Sequence, residues 1–180
     1  MDKDHRGQVQ AMGYDLFMQK AICVLLAIGA MAWPQQKKSA RPEFKDYSVE
    51  QVFAGVPAAP KLSKDQRMFR TMIREGAKAK VQFAGHYTVP AWGCGAGCVD
   101  FVIVDSISGR VYDGFAVALQ PPQWEEKHGF QVQMEFQPQS RLLKINGCPG
   151  ETNCGFYDYE MVEGQGLKLL RKQLLPKEYQ

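Results

Sequence analysis

From residue 86 onward, apolar and polar side chains alternate with a period of two. Tyr87, Val89 and Ala91 fall on one side of an extended segment and His86, Thr88 and Trp92 on the other. Val99, Phe101 and Ile103 mark a second strand, and Asp105–Arg110 reads as a hairpin turn into Val111 and Tyr112. Phe130, Val132, Met134 and Phe136 then alternate with Gln131, Gln133 and Glu135, which predicts a half-buried strand. Pro138–Ser140 turn the chain into residues 141–146, and a last hairpin pairs 156–162 with 167–170 across Glu163–Gly166. Ahead of these strands the period changes to that of a helix. Met68, Phe69, Met72, Ile73 and Ala77 form an apolar face expected to pack in the core. Ser63 and Gln66 supply a capping box at its start. The predicted fold is α+β, an antiparallel β meander of about seven strands with one N-terminal helix packed on it; a β-sandwich or partly closed barrel is the second choice.

The upstream chain lacks both periods. Residues 33–62 carry Pro34, Pro42, Pro57 and Pro60 and predict an extended lead with a short turn around Tyr47–Phe53. Residues 1–32 read as a secretory signal, with Lys20 before the apolar run Ala21–Ala32 and small residues at Ala30 and Ala32. Such a run reaches about 18 Å as a helix, short of a hydrocarbon core of about 30 Å. Cleavage after Ala32 is therefore expected, and only an uncleaved segment would attach the chain to a membrane. Asp2, Asp4 and Asp15 make an unusual signal start, whereas translation from Met18 would give a compact one. The expected organisation is a signal at 1–32, a lead at 33–62 and a single domain at 63–180, in a periplasmic or secreted protein.

Removing the leader changes the cysteine count from five to four, because Cys23 lies in the apolar run as filler. An even count in an exported chain points to disulfides. The four fall in two close pairs, Cys94 with Cys98 and Cys148 with Cys154, and allow three connectivities. Gly93, Gly95 and Gly97, and likewise Pro149 and Gly150, permit the tight turns that local bridges need, so the two local bridges are preferred. Loop entropy leans the other way, at about 2 kcal/mol for a short loop against about 4 for a bridge between the pairs. A four-cysteine zinc site fits the spacing poorly, and a dithiol oxidoreductase would be better served by Cys-x-x-Cys. No metal or cofactor is expected.

Charge narrows the partner. With 22 Lys plus Arg against 19 Asp plus Glu the net charge is only +3, and no basic run exceeds Lys37-Lys38, which argues against nucleic acid. The bases Lys64, Arg67, Arg70, Arg74, Lys78 and Lys80 gather on the predicted helix, diluted by Asp65 and Glu75, and read as a solvated face. The segments Phe83-Ala84-Gly85-His86-Tyr87, Trp92-Gly93-Cys94-Gly95-Ala96-Gly97-Cys98 and Ser140-Arg141-Leu142-Leu143 resemble a family of uncharacterised proteins exported by Gram-negative bacteria. The resemblance spans roughly residues 44–170; it implies export and bacterial origin and carries no assigned activity.

Groups able to do chemistry are few. His86 and Trp92 share a predicted strand face near the Cys94 loop and are the candidate binding residues; His86 could also serve as a general base. Asp100 interrupts the apolar run Val99–Val104 and is the second catalytic candidate, unless a partner such as Arg110 accounts for it. Asp100, Asp105 and Asp113 could supply paired carboxylates. His128 lies in an exposed loop or helical turn with no indicated role. The sequence favours an exported, disulfide-stapled, noncatalytic domain that binds a protein or cell-envelope component; an inhibitor or immunity-type role fits that description, and so does a cell-wall binding role. The alternative is a small hydrolase or thiol enzyme using His86 with Asp100 or with Cys94 and Cys98.

Overall fold

A computed structural model describes residues 41–180; the expected signal segment, Met18, Cys23 and the first part of the lead lie outside the described residues. Among the described residues, nine strands form one antiparallel sheet that does not close on itself. In chain order they are β1 (Tyr87–Thr88), β2 (Ala91–Gly95), β3 (Cys98–Asp105), β4 (Val111–Asp113), β5 (Val117–Ala118), β6 (Met134–Gln137), β7 (Ser140–Pro149), β8 (Gly155–Val162) and β9 (Gly166–Leu174). The main path runs β1-β3-β5-β7-β8-β9, with β2 and β4 also paired to β3 and β6 paired to β7. The order is thus more branched than the expected seven-strand meander. Pro90 explains one extra strand, since it divides the predicted first strand into β1 and β2, both of which pair with β3.

β3 is buried on both faces. Phe101 and Ile103 enter the main core with Tyr87, Val117, Ile145, Tyr157 and Met161. Val102 and Val104 face the other way and meet Ile73 of helix α1 (Arg70–Gly76) and Ala77, its C-cap. A nearly continuous apolar run is what such a strand requires. The capping box forms as expected: Gln66 N–H donates to Ser63 Oγ at 3.3 Å and Ser63 N–H to Gln66 Oε1 at 3.0 Å. Its first turn, Asp65–Phe69, is a 3-10 turn that continues into α1.

Two expectations fail in this region and further along. Met68 and Met72 are 80% and 42% exposed, because the helix meets β3 along the narrow line of Phe69, Ile73 and Ala77. Of the predicted strand at 130–136, only Met134 onward joins the sheet, and Phe130 and Val132 are exposed. There Asn146 replaces a ladder partner with its side chain, its amide donating to Val132 O at 2.6 Å and Glu135 Oε1 at 2.9 Å. The residues just before it form helix α2 (Pro122–His128), entered through Pro122 at its first position.

The described part of the lead, from Arg41, is bound to the sheet at several points. Ala58 N–H donates to Ser106 O at 2.8 Å and Lys61 N–H to Gly109 O at 2.7 Å. Gly109 has φ +73°, and a Cβ there would collide with the Ala59 carbonyl oxygen. Earlier, Phe44–Tyr47 form a 3-10 turn whose Phe44 carbonyl accepts from Ser140 Oγ at 2.7 Å. Arg41 reaches furthest. Its Nε donates to Asp158 Oδ1 at 2.6 Å and its Nη1 to Asn146 Oδ1 at 2.8 Å, while Arg171 Nη1 lies 3.6 Å from Asp158 Oδ2. Asp158 is completely buried on β8.

Breaking a buried pair from one side leaves the other charge uncompensated. Here Arg171 still faces Asp158, so Arg41→Met is expected to cost up to about 3 kcal/mol in urea unfolding and Arg41→Met/Arg171→Met more than either single change, with part of the Arg41→Met loss recovered in Arg41→Met/Asp158→Asn.

Both disulfides are local, Cys94–Cys98 and Cys148–Cys154. The first spans the turn between β2 and β3, and the second the turn between β7 and β8. Cys148 and Cys154 are buried with Leu175, against which Trp124, Phe156 and Tyr179 pack. Replacing both members of the Cys148–Cys154 pair by Ala should lower the unfolding free energy by about 2 kcal/mol, read as a lower denaturation midpoint.

Candidate functional site

His86 precedes β1 and its ring lies tilted at 31° against the neighbouring Tyr87 ring, with centroids 4.1 Å apart. Its Nε2 lies 3.9 Å from Asp105 Oδ1. Both His86 and Tyr87 line a cleft of 240 Å³ with Glu50, Arg141 and Glu163. Arg141 is engaged with Glu160 at 3.2 Å. Burial pushes the Tyr87 hydroxyl well above its ordinary value, so this group stays protonated across the physiological range.

Asp105 belongs to the turn as much as to the cleft. Burial raises its pKa, but the Ser108 hydroxyl at 2.5 Å and the Ile107 and Ser108 amides at 2.8 and 3.2 Å outweigh it, and the net shift is below 3.8. A carboxylate held lower in the folded state contributes stability above its unfolded pKa and loses it as pH falls through the folded one. Stability should therefore fall below about pH 4, and Asp105→Asn should be less stable at pH 7 with a shallower acid limb, as measured by urea midpoints at several pH values.

Trp92 and Asp100 occupy a different cleft. They are cross-strand partners on β2 and β3, and Trp92 stacks on Phe69 with centroids 4.7 Å apart. Both line a cleft of 160 Å³ with Asp65, Gln66 and Asp113. Asp100 Oδ1 accepts the Phe101 amide at 2.9 Å, and Asp113 Oδ1 accepts from Gln66 Nε2 at 2.6 Å. The expected Asp100–Arg110 partnership is replaced by a cation–π contact, with the Arg110 guanidinium 4.7 Å from the Tyr112 ring centroid.

The side chains of His86 and Trp92 therefore do not form one open surface. Between them Thr88 is fully buried, and Pro90 breaks the strand that would have aligned them. His86 and Asp100 line separate clefts, and both Cys94 and Cys98 are consumed by their bridge. His128 stacks on Trp124 at 3.7 Å on α2. Among the described residues, no cluster of three or more His, Cys, Asp or Glu is placed to hold a metal ion.

Two further concavities lie along the lead and the helix. A cleft of 540 Å³ is bounded by Val52, Phe53, Pro57, Lys78, Lys80 and Pro138. It adjoins one of 390 Å³ between residues 56–60 and Arg74 of α1 with Ala77 and Lys78 just beyond its end. Pro57 and Lys78 border both, so the two form one groove. Its walls are mostly apolar, and Val56 at its edge is 91% exposed. Arg67, Arg70, Arg74 and Lys78 are spaced three or four residues apart and continue as a basic flank along the same helix. Lys78 is shared with Glu75 at 2.7 Å. The basic residues were visible in the sequence; the apolar wall beside them was not, because it comes from a lead of no recognisable periodicity.

Comparison of the chain with family models, curated proteins and solved structures returned no match. Among the described residues, no helix is long and apolar enough to cross a membrane.

Proposed function

We propose that this is an exported, noncatalytic binding domain whose lead–helix groove receives an acidic, partly apolar segment of a partner protein in the cell envelope. The observation that carries this reading is the groove itself: apolar walls bordered by Arg74, Lys78 and Lys80. Apolar burial supplies affinity, while the basic border selects negative partners and steers their approach. Two local disulfides suit a domain that must keep its shape in an oxidising compartment. The resemblance of the FAGHY and WGCGAGC segments to exported bacterial proteins points to the same compartment. An inhibitor or immunity role is one form such binding would take.

Fluorescence titration with acidic, leucine-containing peptides and their glutamine counterparts tests the reading. The acidic peptides should bind more tightly, with affinity falling as salt shortens the Debye length from about 10 Å at 0.1 M. Arg74→Glu/Lys78→Glu should weaken them at least about tenfold, or about 1.4 kcal/mol. Equal affinity for acidic and neutral peptides, or an unaffected charge-reversed variant that remains folded, would exclude the groove as the recognition site.

A further inference from the structure

A cleft of different character lies between β4 and the β8–β9 hairpin and shares no residue with the lead–helix groove. Its volume is 410 Å³, within the range of about 300–1,000 Å³ usual for small-molecule sites. Three rings line it, Tyr112, Phe115 and Tyr159, together with the polar side chains of Arg110, Asp113 and Gln165. Phe115 and Tyr159 are only partly buried, so apolar ring surface stays open; their centroids are 5.4 Å apart, and Phe115 rests on Phe101 at 5.1 Å.

The walls are held in place. Gly164 N–H donates to the Tyr112 hydroxyl at 3.2 Å, which ties the β8–β9 turn to β4. Arg110 pairs through its backbone with Lys61, and its guanidinium lies 4.7 Å from the Tyr112 ring centroid. Gly166, with φ +96°, stands against the same ring; a Cβ there would come within 3.3 Å of Tyr112 Cδ1, and glycine leaves this wall bare.

Hydrogen-bonding capacity is left over around the rings. Arg110 and Gln165 bond through their backbone, and their exposed side chains have no partner among the described residues. Asp113 uses one carboxylate oxygen on Gln66 Nε2 at 2.6 Å and keeps the other. Burial raises the Tyr159 pKa, so its hydroxyl keeps its proton and can both donate and accept. Arg110 offers only donors, Asp113 only acceptors, and Gln165 both. The charges of Arg110 and Asp113 are opposite, so the lining selects neither an anion nor a cation. A matching ligand has an apolar face for the rings and a rim of groups that each donate and accept. A pyranose has both: C–H groups on one face and hydroxyls around the edge.

We infer that this cleft binds the pyranose ring of an uncharged sugar, with Phe115 and Tyr159 as the platform and Arg110, Asp113 and Gln165 holding its hydroxyls. The site is independent of the lead–helix groove.

NMR titration of the full chain with methyl glycosides of glucose, galactose, mannose and N-acetylglucosamine tests the inference, with uronic acids and 2-amino sugars of the same configuration as charged counterparts. At least one neutral glycoside should bind saturably with a Kd of about 1 mM or tighter, shifting the ring signals of Phe115 and Tyr159 and the side-chain amide of Gln165. Its charged counterparts should bind at least about threefold more weakly. Tyr159→Ala should weaken binding at least about fivefold and Gln165→Ala about threefold; where Tyr159→Ala does not fold, Gln165→Ala, in an exposed turn, decides alone. Arg74→Glu/Lys78→Glu should bind the sugar unchanged, which separates this site from the groove. Disaccharides of the binding sugar distinguish a glycan chain, bound more tightly than the monomer, from a free sugar, bound no more tightly; either supports the cleft. The inference is overturned by no saturable binding of any neutral glycoside, by shifts confined to another part of the surface, by equal affinity for the charged counterparts, or by folded variants that bind like the parent protein.

Discussion

Burial of β3 on both faces is the constraint from which most of the architecture follows. This strand pairs with β1, β2, β4 and β5 at different points along its length, so it is the common reference for half the sheet. Phe101 and Ile103 require a core on one side, and Val102 and Val104 require a cover on the other. The first demand is met by curvature that brings β7 and β8 over the same cluster. α1 meets the second, and its position leaves the basic flank beside the lead. Asp100 lies on the face covered by the helix but falls beside Trp92, where a small cleft keeps one of its sides open.

The readable parts of the fold were those governed by near neighbours. Ser63 and Gln66 satisfy each other within one turn, Glu163–Gly166 close a hairpin, and each cysteine finds a partner a few residues away. Periodicity also located β3, but it could not show that both faces were covered, since a buried strand has no polar side to orient it. It misled where a distant side chain intervenes. The alternation at Phe130 and Val132 is genuine, yet Asn146 occupies Val132 O, and the segment remains outside the ladder. Met68 and Met72 have helical spacing, but the cover for one strand is narrower than the apolar face they suggested.

Functional residues were harder to recover because proximity in sequence is not proximity in space. His86 and Trp92 are six positions apart and belong to different clefts, whereas Val56 and Arg74 share a wall. The lead contributed most of what was missed. Its prolines and short side chains announce an extended segment, and nothing in them announces Arg41 as the counter-ion of a buried Asp158 on β8. Such a pair adds little net energy compared with a well-packed apolar substitute, but removal of Arg41 leaves the buried Asp158 with Arg171 alone, at 3.6 Å. It therefore restricts which segment can lie there.

The short span of both disulfides bears on how the protein matures. Loops of about ten residues close in 10–100 ns, and contact between the two cysteine pairs requires closing a much longer loop. First encounter thus favours Cys94 with Cys98 and Cys148 with Cys154, the bonds of the finished molecule. Oxidation of each turn need not wait for the sheet, and the order of the thiols along the chain already matches the correct pairing. A chain built this way places little demand on disulfide isomerisation, because the mispaired forms are also the kinetically disfavoured ones.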